Sequence, residues 1–532
     1  MGDEQPELVR DLLRPAAYPD GVERVTLRVT HASWVFLTEA EVFKVKRPVD
    51  LGFLDYHTVE ARRDACHEEV RLNSRLAPDV YLGAVPVRRT RHGLAIAGEG
   101  PIVDWAVHMR RLPDAASAGA LLARGDLEAP ALESVAERLA RFLGDARPAP
   151  SFGTPATLAG NLEENFEQTA PFVGTLLDRM TLDEVQSYQR GELARNEARF
   201  LERIADERIR EGHGDVRLEH IYFPTGVARR EPIIIDAIEF NQRFRCGDVA
   251  AEIAFPAMEL EAAGRLDLAE GLVARFAEAS DDFALYGVLD FYLSYRAWVR
   301  GKVAAFVAAD PSTSPQLRAA KGAEARRFFG LARAAAGAAL DRPFLIVVGG
   351  LIGSGKSTLA GDLGRRLAVP VISSDRARKA AAGLAPTTPG GADLYEPAAR
   401  DRVYGQILGA AQLVLEGGRG AILDATFSAR HWRQRAAGVA QRAGATFVFV
   451  EAVCPPDLLR RRLAARRQRP SVSDANETLL DSFLRDHEPL GQEDPGPCLE
   501  IDTSASPEAA VRDAMRQLVE LGVVPASERR RA

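Results

Sequence analysis

Lysine is the residue this sequence nearly does without. Only six of its 68 basic residues are lysine: Lys44, Lys46, Lys302, Lys321, Lys356 and Lys379. The compact ammonium of lysine and the planar fork of arginine are not interchangeable. A position that keeps lysine against this background marks a place where the ammonium itself matters. Cysteine is scarce too. Cys66, Cys246, Cys454 and Cys498 stand far apart with no CxxC pair. That argues against a disulfide scaffold or a structural zinc site and suits a reducing compartment. Long apolar runs are missing as well. None approaches the roughly 20 residues of a membrane helix. The longest candidate, Phe344 to Ile352, reads as a strand entering a glycine loop. The acidic opening, Met1-Gly2-Asp3-Glu4, has no apolar core of the signal-peptide kind, so a cytoplasmic protein with no membrane partner is expected.

What is present is ordinary globular material in quantity. The chain has 532 residues, 46% hydrophobic and 27% charged, with a net charge of −7. Its length calls for two or three domains. The acidic balance argues against a polycationic nucleic-acid coat, though not against a local basic patch, so a nucleic-acid partner is the less expected class. His31, His57 and His92 have no metal-binding spacing and read as surface or packing residues.

Periodicity divides the chain. Alternating stretches at 22–48 and 80–110 predict strands, a helix is predicted at 58–77, and 115–212 reads as helical. A β-rich piece followed by a helical one implies two lobes. Residues 282–340 are helical and alanine-rich, broken by Pro311-Ser312-Thr313-Ser314-Pro315. Beyond a boundary near 335–342, strands near 344–349, 370–373, 420–424, 446–452 and 498–502 alternate with helices. That alternation predicts a parallel α/β sheet. The expected domains are 1–338 and 342–525, with a frayed arginine-rich tail at 525–532.

Gly350-Leu351-Ile352-Gly353-Ser354-Gly355-Lys356-Ser357 satisfies G-x-x-x-x-G-K-[ST] at every fixed position. It follows a strand and opens a helical run from Thr358, the context the P-loop (Walker A) motif requires. The glycines let backbone N–H groups curl around a phosphate, and the helix N-terminus adds partial positive charge. Lys356 is expected to reach the β- and γ-phosphates of ATP, and Ser357 to ligate Mg²⁺. Asp375, after the second strand, is a candidate base for a substrate hydroxyl. Arg378 lies one turn on. Asp424 ends an apolar strand, as expected of a carboxylate that holds Mg²⁺. The basic stretch 458–467 offers lid arginines, Arg462 or Arg466, that would swing onto the transferring phosphate. This segment resembles the predicted P-loop kinases of the zeta-toxin, chloramphenicol-phosphotransferase and polynucleotide-kinase group, on Gly350–Thr358, Asp375, Arg378 and Asp424.

A second constellation lies upstream. His213-Gly214-Asp215 through His220, then Ile233-Ile234-Ile235-Asp236 and Gly247-Asp248, resembles the catalytic loop of aminoglycoside phosphotransferases and their kinase-like relatives. The resemblance implies Asp215 as catalytic base, Asp236 as Mg²⁺ ligand and Asp248 as a brace. The β-rich lobe should then carry the ATP lysine. Lys44 and Lys46 share one face of a strand, and the partner glutamate would be Glu68 or Glu69. Two departures stand out. His220 occupies the place of the Asn that shares the metal, and imidazole suits Mg²⁺ less well than oxygen. No glycine-rich loop is present, only Thr30-His31-Ala32-Ser33.

The expected architecture is thus an α+β two-lobed kinase-like domain followed by an α/β parallel-sheet P-loop domain. The expected function is ATP-dependent phosphoryl transfer to a hydroxyl of a small molecule. Two alternatives remain: a regulatory protein with a degenerate kinase-like sensor, and a nucleic-acid end kinase. Glu239, Glu252 and Glu259 could suit a cationic acceptor or be solvated surface.

Overall fold

The computed structural model describes residues 6–524 apart from 20, 51, 53, 224–230, 336–342, 385–387, 389–395, 467–479 and 481–482. The boundary expected near 335–342 and the tail 525–532 fall on or run into residues outside the described set. The chain divides into two compact units, Met1–Leu158 with Glu202–Glu259, and Ala159–Leu201 with Leu260–Ala532.

The first unit is built on six strands: β1 (Thr26–Val29), β2 (Ser33–Leu37), β3 (Glu41–Lys46), β4 (Tyr81–Thr90), β5 (Gly93–Ala95) and β6 (Ile102–Arg110). They form one antiparallel sheet in the order β1-β2-β3-β6-β4-β5. Strand alternation decides its two faces. Phe43 and Val45 of β3 join Phe36, Val87 and Ala106 over Val9, Leu12 and Tyr18 near the N-terminus. The opposite face carries Val42, Val107 and Met109 against Cys66 and Val70 of the helix Val59–Asn73. Thr58 caps that helix, its hydroxyl accepting from the Ala61 N–H at 3.1 Å. Lys44 and Lys46 therefore lie on the face that the helix covers.

Four short strands complete this unit: β7 (Ile209–Glu211), β8 (Ile221–Tyr222), β9 (Ile233–Ile234) and β10 (Cys246–Asp248). β7 pairs with β10 and β8 with β9, both antiparallel. The pairings lay the 212–220 loop beside the 235–245 segment, and Ile238 N–H donates to His213 O at 3.0 Å.

The second unit contains a five-stranded parallel sheet: β11 (Phe344–Gly349), β12 (Val371–Ser373), β13 (Ala421–Asp424), β14 (Thr446–Val453) and β15 (Cys498–Asp502). Their order is β12-β13-β11-β14-β15. β11 is buried throughout, as a strand covered on both faces must be. Phe344, Ile346 and Val348 pack with Leu359 and Leu363 of the helix Lys356–Leu367 and with Val511 and Leu518 of Pro507–Glu520. Tyr404, Phe427, Trp432 and Phe449 make a second, aromatic cluster.

The same unit holds a helical bundle. Helices Leu289–Ala309 and Pro315–Ala335 form a hairpin around Trp298, which packs on Phe166 and Phe329. The bundle and the parallel sheet are joined by buried charge. Arg419, just before β13, makes a two-pronged pair with Asp290 at 2.6 and 2.8 Å and reaches Glu270 at 3.4 Å. Burial, then Glu270, pushes the neighbouring Glu261 carboxyl up to about 8. The Val371 N–H donates to Glu278 at 2.8 Å, tying β12 to the bundle as well. Among the described residues no helix is long and apolar enough to cross a membrane. The two-lobed α+β part and the α/β parallel-sheet part are both as the sequence predicts.

Candidate active site

In the first unit, β3 and the helix Val59–Asn73 meet at a cluster of charge. Lys44 Nζ lies 2.9 Å from Glu69 Oε1 and 2.8 Å from Asp236 Oδ1. Glu69 is fully buried. Its other oxygen accepts from Lys46, which also pairs with Glu239. The two lysines differ in access: the Lys46 side chain is 1% exposed and that of Lys44 15%. Glu68 faces elsewhere and pairs with Arg71 and Arg245. Asp236 opens outward, with 43% of its side chain exposed.

The electrostatics follow from this crowding. Burial works against charge on Lys44, but Asp236 and then Glu69 outweigh it and raise its pKa well above the usual range. Burial likewise opposes ionisation of Asp236, yet Lys44 holds that carboxyl far below the ordinary carboxylate range. Asp236 also has a left-handed backbone, φ 67°. Such a conformation is costly for a residue with a Cβ and persists only where surroundings hold it. Its N–H donates to the Tyr81 hydroxyl at 3.1 Å, and the next N–H, of Ala237, donates to Asn73 Oδ1 at 2.8 Å.

Asp215 sits in the adjoining loop, which is closed by its own hydrogen bonds. His213 Nε2 lies 2.9 Å from Ile235 O, and Asp215 N–H donates to His213 Nδ1 at 3.2 Å. That pattern fixes the neutral Nε2–H tautomer. His220 stands between the two acids. Its Nδ1 is 2.9 Å from the Asp215 carbonyl oxygen, and its Nε2 is 3.6 Å from Asp236 Oδ2. Asp248 is paired twice with Arg203, at 2.9 and 2.6 Å, and accepts from Ala250 N–H. Glu252 accepts from Gly214 N–H at 2.8 Å and Glu259 from Leu218 N–H at 2.7 Å. These glutamates hold the loop from behind, and their hydrogen bonds to it leave the solvated-surface reading without support. The Thr30–Ser33 segment is a tight turn, with Thr30 N–H donating to Ser33 O at 2.9 Å.

In the second unit the P-loop joins β11 to the helix Lys356–Leu367. Gly350 has φ 130°, and a Cβ there would lie 2.5 Å from Ala452 O. Gly355 caps the helix in the left-handed region, φ 91°. Side chains at these two positions would press on neighbouring protein atoms, Ala452 O at Gly350 and Arg462 at Gly355, so the loop's path needs glycine there. Ser357 Oγ donates to Asp424 Oδ1 at 3.1 Å. Asp424 ends β13 opposite Ser373 of β12. Burial raises its pKa, against the lowering pull of Lys356. Ser357 and Thr358 are exposed at the helix start, and Ser354 is buried. Asp375 is in the first turn of the helix Ser374–Ala381, whose N-cap is Ser373, and pairs with Arg378 one turn on. Asp375 is therefore not the cap of that helix.

Arg462 is placed differently from a free lid arginine. Its guanidinium donates to Ser354 O at 3.2 Å and to Thr503 O at 2.6 Å, and the Thr503 hydroxyl also donates to Ser354 O. It grips the rim of the P-loop. Arg466 lies at the end of its helix, and its side chain is outside the described residues.

The sequence reading did not find Tyr56, Asn73, Tyr81 or the partnership of Lys46 with Glu239. Their only signal is three-dimensional, since each meets residues about 155–195 positions away. Among the described residues no group of three or more His, Cys, Asp or Glu could hold a metal unaided. Mg²⁺ bound mainly through phosphates needs only one or two carboxylates, and Asp236 and Asp424 each supply one such oxygen site.

The AAA domain family matches residues 345–490, the segment that contains the P-loop, Asp375, Asp424 and Arg462. Among solved structures, a choline/ethanolamine kinase family protein from Mesorhizobium loti aligns with 62% of this chain and 99% of its own, at 11% identity and TM-score 0.37. A gluconokinase from Sinorhizobium meliloti aligns with 34% of this chain and 93% of its own, at 23% identity and TM-score 0.25. The uncharacterized proteins Rv2004c of Mycobacterium tuberculosis and Mb2027c of Mycobacterium bovis are each 32% identical over 451 residues, 83% of this chain and 86% of theirs. The chain belongs to the family of these mycobacterial proteins and carries an AAA domain of the P-loop class in its C-terminal part.

Proposed function

We propose that the chain is an ATP-dependent phosphotransferase with a nucleotide site in each unit, acting on a hydroxyl of a small molecule. The observation that carries the reading is the P-loop arrangement. Ser357 and Asp424 are hydrogen-bonded at the C-terminal edge of a parallel sheet, where such sheets bind ligands. In this reading the loop N–H groups and Lys356 hold the phosphates. Ser357 and Asp424 hold Mg²⁺, directly or through water. Asp375, on the next strand exit, accepts the proton of the acceptor hydroxyl, with Arg378 orienting it. Arg462 steadies the loop.

In the first unit Lys44 takes the phosphates, Glu69 orients it, Asp236 holds Mg²⁺ with His220 beside it, and Asp215 is the base. Mg²⁺ held there would supply neutralisation of the negative charge on the phosphates. One observation favours a second reading, in which this unit senses nucleotide without turning it over. The His220 ring lies between Asp215 and Asp236 where an oxygen ligand would serve Mg²⁺ better.

The test is Mg²⁺-dependent ADP release with a pool of sugars, aminoglycosides, nucleosides and 5′-hydroxyl oligonucleotides. Wild type, Lys356→Ala and Asp236→Ala are compared. Pool-stimulated turnover is expected to fall by about 10²-fold or more in at least one variant. Loss in Lys356→Ala alone makes the first unit a sensor. Loss in Asp236→Ala alone puts the chemistry there despite His220. ATP binding without stimulated turnover in any protein overturns the phosphotransferase reading for those acceptors.

A further inference from the structure

Lys46 and Glu239 form a second rung beside the Lys44–Asp236 pair. β3 contributes both ammonium groups, two residues apart on one face, and the 236–239 segment contributes both carboxylates. Glu69 is shared, one oxygen to each lysine. Tyr56 Oη donates to Glu239 at 2.8 Å, and Arg245 donates to the Glu239 carbonyl at 3.1 Å. Three carboxylates thus surround two ammonium groups, and this rung is closed to solvent: the Lys46 side chain is 1% exposed and that of Glu239 7%. Asp236 is the exposed member, and its backbone is the strained one, at φ 67°.

A buried ion pair that touches no solvent reaches no substrate. It fixes geometry. We propose that Lys46 and Glu239 are positioning residues that pin the 236–239 segment to β3 and so keep Asp236 in its left-handed turn, with its carboxylate facing outward. The inference rests on the reading of this unit as a Mg²⁺-nucleotide site. Lys46 sits one rung behind that site and holds Glu69 in place, while Lys44 alone has an ammonium next to Asp236.

Binding of ATP bearing a fluorescent N-methylanthraniloyl group tests this in the full chain. A Lys356→Ala background silences the P-loop site, and titrations are run with and without Mg²⁺. Glu239→Gln is the informative variant, because it keeps the shape and the Tyr56 hydrogen bond. It is expected to remove tenfold or more of the Mg²⁺-dependent gain in affinity, while Mg²⁺-free binding stays within twofold. Combined with Asp236→Ala, it should add nothing further, the signature of two residues acting through one function. An intact Mg²⁺ gain in Glu239→Gln overturns the proposal. So does an equal loss with and without Mg²⁺, which a general structural role would give. Lys44→Ala and Asp236→Ala keep the two levels apart. If both bind like the background protein, the nucleotide reading of this unit falls, and the proposal with it. If both lose binding while Glu239→Gln does not, the proposal alone falls.

Discussion

His213 is buried between two backbone groups, giving a proton to Ile235 O and receiving one from Asp215 N–H. Burial, then the neighbouring His220, depresses its pKa to about 3. The unfolded chain takes up this proton near pH 6.5 and the folded chain near 3, so the unfolded state binds more protons between them. Stability from this residue is complete above pH 6.5 and is lost as pH falls toward 3, on the order of a few kcal/mol. Urea denaturation of wild type and His213→Gln across that range should show a shallower acid slope in the variant. Single residues were also where the sequence was most legible. Lysine scarcity pointed at six positions, of which Lys44, Lys46 and Lys356 lie at the charged clusters described above, whereas Lys302 bonds Asn165 and Gln168 and Lys321 pairs with Glu324 in the helical bundle. Motif spacing placed Asp215, Asp236 and Asp424 at loop or strand ends. It was silent on Glu239 and Asn73, whose partners are distant in sequence and carry no local pattern.

Elements were read from periodicity, and the parallel sheet follows it closely. Strands predicted at 344–349, 370–373, 420–424, 446–452 and 498–502 occur at 344–349, 371–373, 421–424, 446–453 and 498–502. Short apolar runs alternating with helical stretches, as at the fully buried β11 and β13, are read by their length and flanking glycines. The region read as helical up to 212 instead ends in β7, a three-residue strand too short to show alternation. At the P-loop, geometry makes a sharp demand on one position. Gly350→Ala would place a methyl group 2.5 Å from Ala452 O in a backbone region closed to alanine. The loop must shift to relieve it. Nucleotide binding at this site should fall at least tenfold, with a stability loss of about 1–3 kcal/mol. Calorimetric titration in an Asp236→Ala background and a melting curve check both numbers.

At the scale of the whole molecule, composition alone could not show that the helical bundle belongs with the parallel sheet. The bundle's loop-bounded helices read as the end of a domain 1–338, and the compact unit that contains them also contains the P-loop sheet. The reason lies in a few buried charges that no hydrophobic pattern reports. Arg419→Met should leave the buried Glu270 and the half-buried Asp290 without their cation and cost about 2–4 kcal/mol. Adding Asp290→Leu should recover part of that loss, because removing both partners is cheaper than removing one. Trp298 in the bundle and Trp432 beside the sheet are both buried and report the two halves. In variants that keep only one of these two among the four tryptophans, the fluorescence transitions in urea should coincide. Arg419 stands five residues before Asp424 on the path into the same strand. A recombination event that exchanged only the P-loop half would bring in a sheet without the matching guanidinium, or strand this one without its acids.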